Sequence, residues 1–130
     1  MTFSPEDPVT EDEDLFKAVT GIQWSSKKGR PSSAAFKDEG SSVDRDGDRD
    51  QERIVERLDE RFDETYGIAR MSADVCINRV DAHVEPDPLP DNPYHAEIYR
   101  SPDTERGLSS SPARTIAEAC EMVRLPEEDR

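Results

Sequence analysis

Lysine is scarce in this chain. Of its 17 basic residues only Lys17, Lys27, Lys28 and Lys37 are lysines, the other thirteen are arginines, and 31 Asp and Glu leave a formal net charge of −14 over 130 residues. Cysteine is scarcer still: Cys76 and Cys120 stand far apart with no further Cys or His at ligand spacing, which excludes a disulfide framework and a thiolate zinc site. Both read as small buried hydrophobes. No segment approaches the roughly 18 consecutive apolar residues of a membrane helix, and the amino terminus has no charged-then-apolar leader, so the expectation is a cytoplasmic protein with no membrane partner. Apolar residues are 32% of the chain, enough for one modest core and not for a second domain.

Negative charge is what the chain has in plenty. Self-repulsion of this size destabilises a compact state at low ionic strength, whereas a Debye length of roughly 3 Å near 1 M salt removes most of that cost. The carboxylates run through the whole chain, predicted helices included, and arginine replaces lysine. That habit resembles the proteomes of salt-in halophiles such as haloarchaea, and implies a cell interior filled with molar salt.

Residues 1–13 are acidic, carry two prolines and offer little to bury, so they read as a disordered tail, and residues 126–130 likewise. The span 14–125 reads as one α+β domain. Leu15 to Val19 suits a buried strand, Ser33 to Phe36 a second and Ser42-Val43 a third, with Gly40 as the break between them. Ile54, Val55, Leu58, Phe62 and Tyr66 recur at helical spacing, with Asp48 or Asp50 as cap and Gly67 as stop. A strand over Ile68 to Met71, a short helix over Ala73 to Asn78 and a strand over Val80 to Val84 follow. Four prolines within residues 86–93 require an irregular loop, after which Tyr94 to Tyr99 alternates as a strand. Ser111-Pro112 opens a second helix whose inward stripe is Ile116, Ala119, Cys120 and Val123. The predicted architecture is a short mixed or antiparallel sheet packed against two main helices.

Residues 15–37 hold all four lysines and Arg30 but no carboxylate, a local charge of +5 in a chain of −14. Around Lys27, Lys28 and Arg30 stand Ser25, Ser26, Ser32 and Ser33, residue types that surround phosphate, with Trp24 available to stack on a base. The leading expectation is a non-catalytic domain that binds a phosphate-bearing partner, nucleic acid or nucleotide, through this loop, with Arg45 beside it. The bland counterpart is charge balance within the protein's own acidic surface. His95 and Glu97, two apart on a strand, share a face and provide the alternative: a small enzyme acting on a nucleotide or nucleic acid with these two as acid and base. A third reading makes the acidic helix face, Glu56, Glu60 and Glu64, the contact of an accessory subunit with a protein partner. Asp44 to Asp50 superficially suggests a calcium loop, but Arg53 stands where a bidentate Glu is required, so a solvated turn is expected. No metal ligand and no cofactor is assigned.

Two resemblances enter on these residues. The strings Pro31-Ser32-Ser33-Ala34-Ala35-Phe36-Lys37, Ser42-Val43-Asp44-Arg45, Pro88-Leu89-Pro90 and Asn92-Pro93-Tyr94-His95-Ala96-Glu97-Ile98 look like an uncharacterised family of small prokaryotic proteins of haloarchaeal type, over most of residues 15–125; the resemblance implies kinship of fold and no activity. The order Lys17, then Ser32, Ser33 and Phe36, then Glu97 is similar to that in small ADP-ribosyltransferase-like domains, although no clear nicotinamide pocket signature accompanies it. That family has Arg or His where this chain has Lys17.

Overall fold

Leu15, Phe16 and Lys17 are consecutive and all buried, so the strand that carries them, β1 (Asp14–Val19), must be covered on both faces. The computed structural model describes residues 3–37, 41–100 and 107–130, and the Gly40 break lies outside them. Five further strands join β1 in one sheet, among the described residues wholly antiparallel: β4 (Ser41–Arg45), β5 (Gly67–Ser72), β6 (His83–Pro86), β7 (His95–Tyr99) and β8 (Glu121–Arg124), in the order β6-β7-β4-β1-β5-β8. A separate hairpin pairs β2 (Trp24–Ser25) with β3 (Arg30–Pro31). With two main helices this is the α+β domain that the sequence predicts.

Each face takes one helix. On one, Leu15, Val43, Met71, Val84, Ala96 and Ile98 meet Ala113, Ile116 and Ala117 of α2 (Ser110–Ala119) and Phe36, the largest fully buried side chain. Each large apolar group so buried is worth about 1.5–3 kcal/mol. On the other, Phe16 and Ile68 pack against Ile54 and Leu58 of α1 (Gln51–Arg61), whose Asp50 cap accepts the Arg53 amide, a bond worth about 1 kcal/mol. Register puts Asp44, His95, Ser42, Glu97 and Glu85 on this same side. These polar residues occupy the half of the face over β4, β7 and β6, beyond the apolar cluster under α1.

Four local expectations are revised. Ser33–Phe36 is a 3-10 turn and not a strand: the Ala35 amide bonds back to the Ser32 carbonyl at 3.1 Å and the Lys37 amide to the Ala34 carbonyl at 3.5 Å, three residues apart in each case. α1 stops at Arg61, because the Asp63 carboxylate accepts the Thr65 amide and turns the chain before Gly67 is reached. β6 begins at His83, after a π-helical turn over Val75–Arg79 and a left-handed Asp81 (φ 55°). α2 stops at Ala119, so Val123, read as part of its stripe, belongs to the edge strand β8.

Both ends expected to be disordered make contacts. Arg45 reaches back to Glu13 and to the carbonyls of Asp7 and Pro8, and Phe3 stacks on Tyr94 with ring centroids 5.1 Å apart. At the other end the Asp129 carboxylate accepts from the Trp24 indole and the Ser26 hydroxyl. Among the described residues no helix is long and apolar enough to cross a membrane.

Candidate functional site

The basic segment folds into the β2–β3 hairpin, whose turn closes with the Gly29 amide on the Ser25 carbonyl at 2.8 Å, Gly29 taking a φ of +66° that other residues rarely adopt. The turn and the adjoining 3-10 segment bring Ser25, Lys28, Arg30, Ser32 and Ser33 around one cleft of about 120 Å³. Arg114, from the exposed side of α2, completes the lining. Sequence reasoning missed it: 81 positions separate Arg114 from Ser33, and only its place beside the buried Ala113 and Ile116 marked it as facing outward. The Ser32 hydroxyl is buried and has no hydrogen-bond partner in the structure. Arg30 donates one guanidinium bond to the Pro31 carbonyl at 2.9 Å, which steadies the side chain and leaves other donors over.

Lys27 is exposed on the turn and does not line the cleft. Trp24 requires a correction: it is buried, 8% exposed, packed with Val19 and Ala69, and its indole N–H is held by Asp129, so its ring faces belong to the core and offer no stacking surface. The Ser26 hydroxyl and then the Trp24 indole hold the Asp129 carboxyl below its ordinary value. Arg45 is corrected too, being 2% exposed and committed to Glu13.

On the α1 side of the sheet, His95 and Glu97 do share a face, as their spacing predicts. The structure adds neighbours that no spacing rule showed. Antiparallel pairing sets Glu85 directly opposite Glu97 and His83 opposite Tyr99, so both histidines of the chain lie on one face of adjacent strands. His95 is buried, its Nδ1 2.9 Å from the Asp87 carbonyl and its Nε2 3.9 Å from Glu97 Oε1. Tyr99 donates its hydroxyl to Glu97 Oε2 at 2.5 Å. Beside His95, Asp44 accepts from Asn92 Nδ2 at 2.9 Å while its second oxygen is buried without a hydrogen-bond partner. Both residues border a pocket of about 470 Å³ between the end of α1 and the proline loop, with Phe16, Leu58, Arg61 and Leu89 among its walls.

Other expected constellations do not assemble. Lys17 lies on the opposite face from Glu97, its ammonium donating to the Ser42 carbonyl and standing over Phe36, so the first and last residues of the ADP-ribosyltransferase-like order do not share a sheet face. The Asp44–Asp50 segment is no ion cage: Asp44 belongs to β4, and Asp46 accepts the amides of Asp14 and Gly47. Burial, partly offset by these two amides, raises the Asp46 pKa. Glu56 and Glu60 are exposed on α1, Glu60 paired with Arg57, and Glu64 lies beyond the helix end. Burial pushes both cysteine thiols up to about 12, so neither is a nucleophile at neutral pH. Compared with family models, curated proteins and solved structures, the chain finds no match.

Proposed function

We propose that this domain binds a phosphate-bearing partner, a nucleic acid or a nucleotide, by seating one phosphate group in the cleft of Ser25, Lys28, Arg30, Ser32, Ser33 and Arg114. The observation that carries the reading is the convergence of three cations and three hydroxyls on about 120 Å³, one of those hydroxyls buried and unpaired. A buried hydroxyl left without a partner costs about 1–3 kcal/mol, a cost that a phosphate oxygen in the cleft removes. At about 120 Å³ the cleft has room for a phosphate group. The rest of the partner lies outside, with Lys27 beside the mouth.

Charge alone is a poor anchor here. One seated backbone phosphate implies a salt slope of about −0.9, so a tenfold rise in salt weakens the purely ionic part of binding by about 1.2 kcal/mol. If the chain works in concentrated salt, as its charge of −14 supports, the hydroxyl donors and the fixed Arg30 fork must supply the specificity. The domain acts by binding, and no step of chemistry is assigned to the cleft.

The test is an affinity pull-down in molar KCl, comparing the unmodified chain with a Lys28/Arg30/Arg114→Ala variant. Nucleic acid or nucleotide retained by the first and lost from the second is the expected result. Equal retention by both, or none by either, overturns the reading.

A further inference from the structure

We propose that Asp87, His95 and Glu97 bind one divalent transition-metal ion of the zinc or manganese class, on the sheet face opposite the one that carries α2 and the phosphate cleft. One ligand atom from each of the three lies within 4.8 Å of the others. A carbonyl oxygen only accepts, so the 2.9 Å bond between His95 Nδ1 and the Asp87 carbonyl places the proton on Nδ1 and leaves the Nε2 lone pair for a ligand bond. That lone pair faces Glu97 Oε1 at 3.9 Å, too far for a hydrogen bond and with two acceptors turned toward each other. An ion at about 2.1 Å from each atom spans up to about 4.2 Å, so the gap is of the width that a bridging cation requires.

The outer shell is in place as well. A ligating histidine characteristically gives its other N–H to a carbonyl or carboxylate, and a ligating carboxylate is itself hydrogen-bonded. His95 has the Asp87 carbonyl, and Glu97 has the Tyr99 hydroxyl on Oε2 at 2.5 Å, which turns Oε1 toward the histidine. The Asp87 carboxylate, half-exposed, lies 3.3 Å from Nδ1 and offers one ligand atom within 4.8 Å of those of His95 and Glu97.

The charge around the site points the same way. Glu85 stands directly across from Glu97, a like-charge pairing that weakens a sheet; the Glu85 carboxylate is met by His83 Nε2, and that of Glu97 is turned toward His95. Asp44 is paired with His95 in register and has a buried oxygen without a partner. Among the described residues, the only basic group at ion-pair distance from Asp87 and Glu97 is His95, whose ring is neutral with its proton on Nδ1 alone. One imidazole with two carboxylates favours a borderline transition ion over magnesium or calcium, and the absence of thiolate excludes soft ions. Three protein ligands leave further positions for water or a bound molecule, the pattern of an open site; His95 also borders the 470 Å³ pocket.

The full chain, stripped with a chelator, is titrated with zinc chloride by calorimetry, and the histidine side-chain ¹⁵N resonances are followed in parallel. The expected result is one equivalent of zinc bound, a large shift at His95 Nε2 and little at His83. His95→Gln and Glu97→Gln each weaken binding roughly tenfold or more, and His83→Gln leaves it unchanged. Absence of saturable binding, an unmoved His95 Nε2, or loss of the site on His83→Gln overturns the proposal. The resonance in the unmodified chain decides the matter even where a variant fails to fold.

Discussion

Arg45 grips Glu13 with a two-pronged bond, Nε to Oε1 at 2.8 Å and Nη2 to Oε2 at 3.0 Å, across 32 residues of sequence and almost wholly out of water. The same guanidinium binds the Asp7 and Pro8 carbonyls, so one side chain ties the acidic amino-terminal segment to β4. Removing one partner of a buried pair strands the other. Glu13→Ala is expected to cost about 3 kcal/mol in urea unfolding, and the double change Glu13→Leu/Arg45→Met markedly less. A loss below about 1 kcal/mol in the single variant would show the segment to be loosely attached.

Gly47 turns the chain after β4 at a φ of +58°, and a Cβ there would run into two ring carbons of Tyr94. Tyr94 cannot simply move aside, since Phe3 stacks on it and the Arg49 guanidinium lies 3.4 Å from its ring centroid. Gly47→Ala should therefore destabilise by about 2 kcal/mol, the left-handed backbone alone accounting for about half or more. Adding Tyr94→Ala should recover none of the backbone share. A neutral Gly47→Ala would contradict the close approach.

The comparison of sequence with structure has a physical pattern. Helices and strands with strong periodicity were legible: the α1 stripe of Ile54 and Leu58 with its Asp50 cap, and the β7 alternation that puts His95 and Glu97 together. What was not legible depended on partners far along the chain. Val123 continues the spacing of α2, yet pairing with β5 draws Glu121–Arg124 into an edge strand. Arg114 enters the cleft, and Glu85 faces Glu97, only through tertiary placement. Trp24 beside a basic run suggested stacking, but its burial is set by Val19, Ala69 and Asp129, none of them neighbours in sequence.

The thiols provide a pH signature. Burial first, then Cys120 for Cys76, raises the Cys76 pKa to about 12; burial first, against an opposing pull from Lys17 and Arg30, raises Cys120 to about 12. With folded values above the ordinary 9.0, the unfolded chain loses these protons first, so the stability they contribute is complete below about pH 8.5 and declines as pH rises toward 12. Each thiol should remove about 1.4 kcal/mol per pH unit in that window. The slope of unfolding free energy between pH 9 and 11 should be shallower for Cys76→Ala than for the unmodified chain. Identical slopes would contradict the burial.

Salt should stabilise the fold. The net charge of −14 is repelled by itself at low ionic strength, and screening at molar KCl shortens the Debye length to roughly 3 Å. The melting temperature is expected to climb steeply as KCl rises from tenth-molar to molar concentration. A flat response would remove the case for a salt-rich interior.

The phosphate cleft is tested most directly by titrating the ¹⁵N-labelled full chain with inorganic pyrophosphate in molar KCl and mapping the shifted amides. The account predicts saturable shifts confined to residues 25–33 and the neighbourhood of Arg114, weakened about tenfold or more by Arg30→Ala or Arg114→Ala and little changed by Lys27→Ala. Shifts spread evenly over the lysines, equal losses for Lys27→Ala and Arg114→Ala, or no shifts at all would show the basic segment to be charge balance and the cleft to be no site.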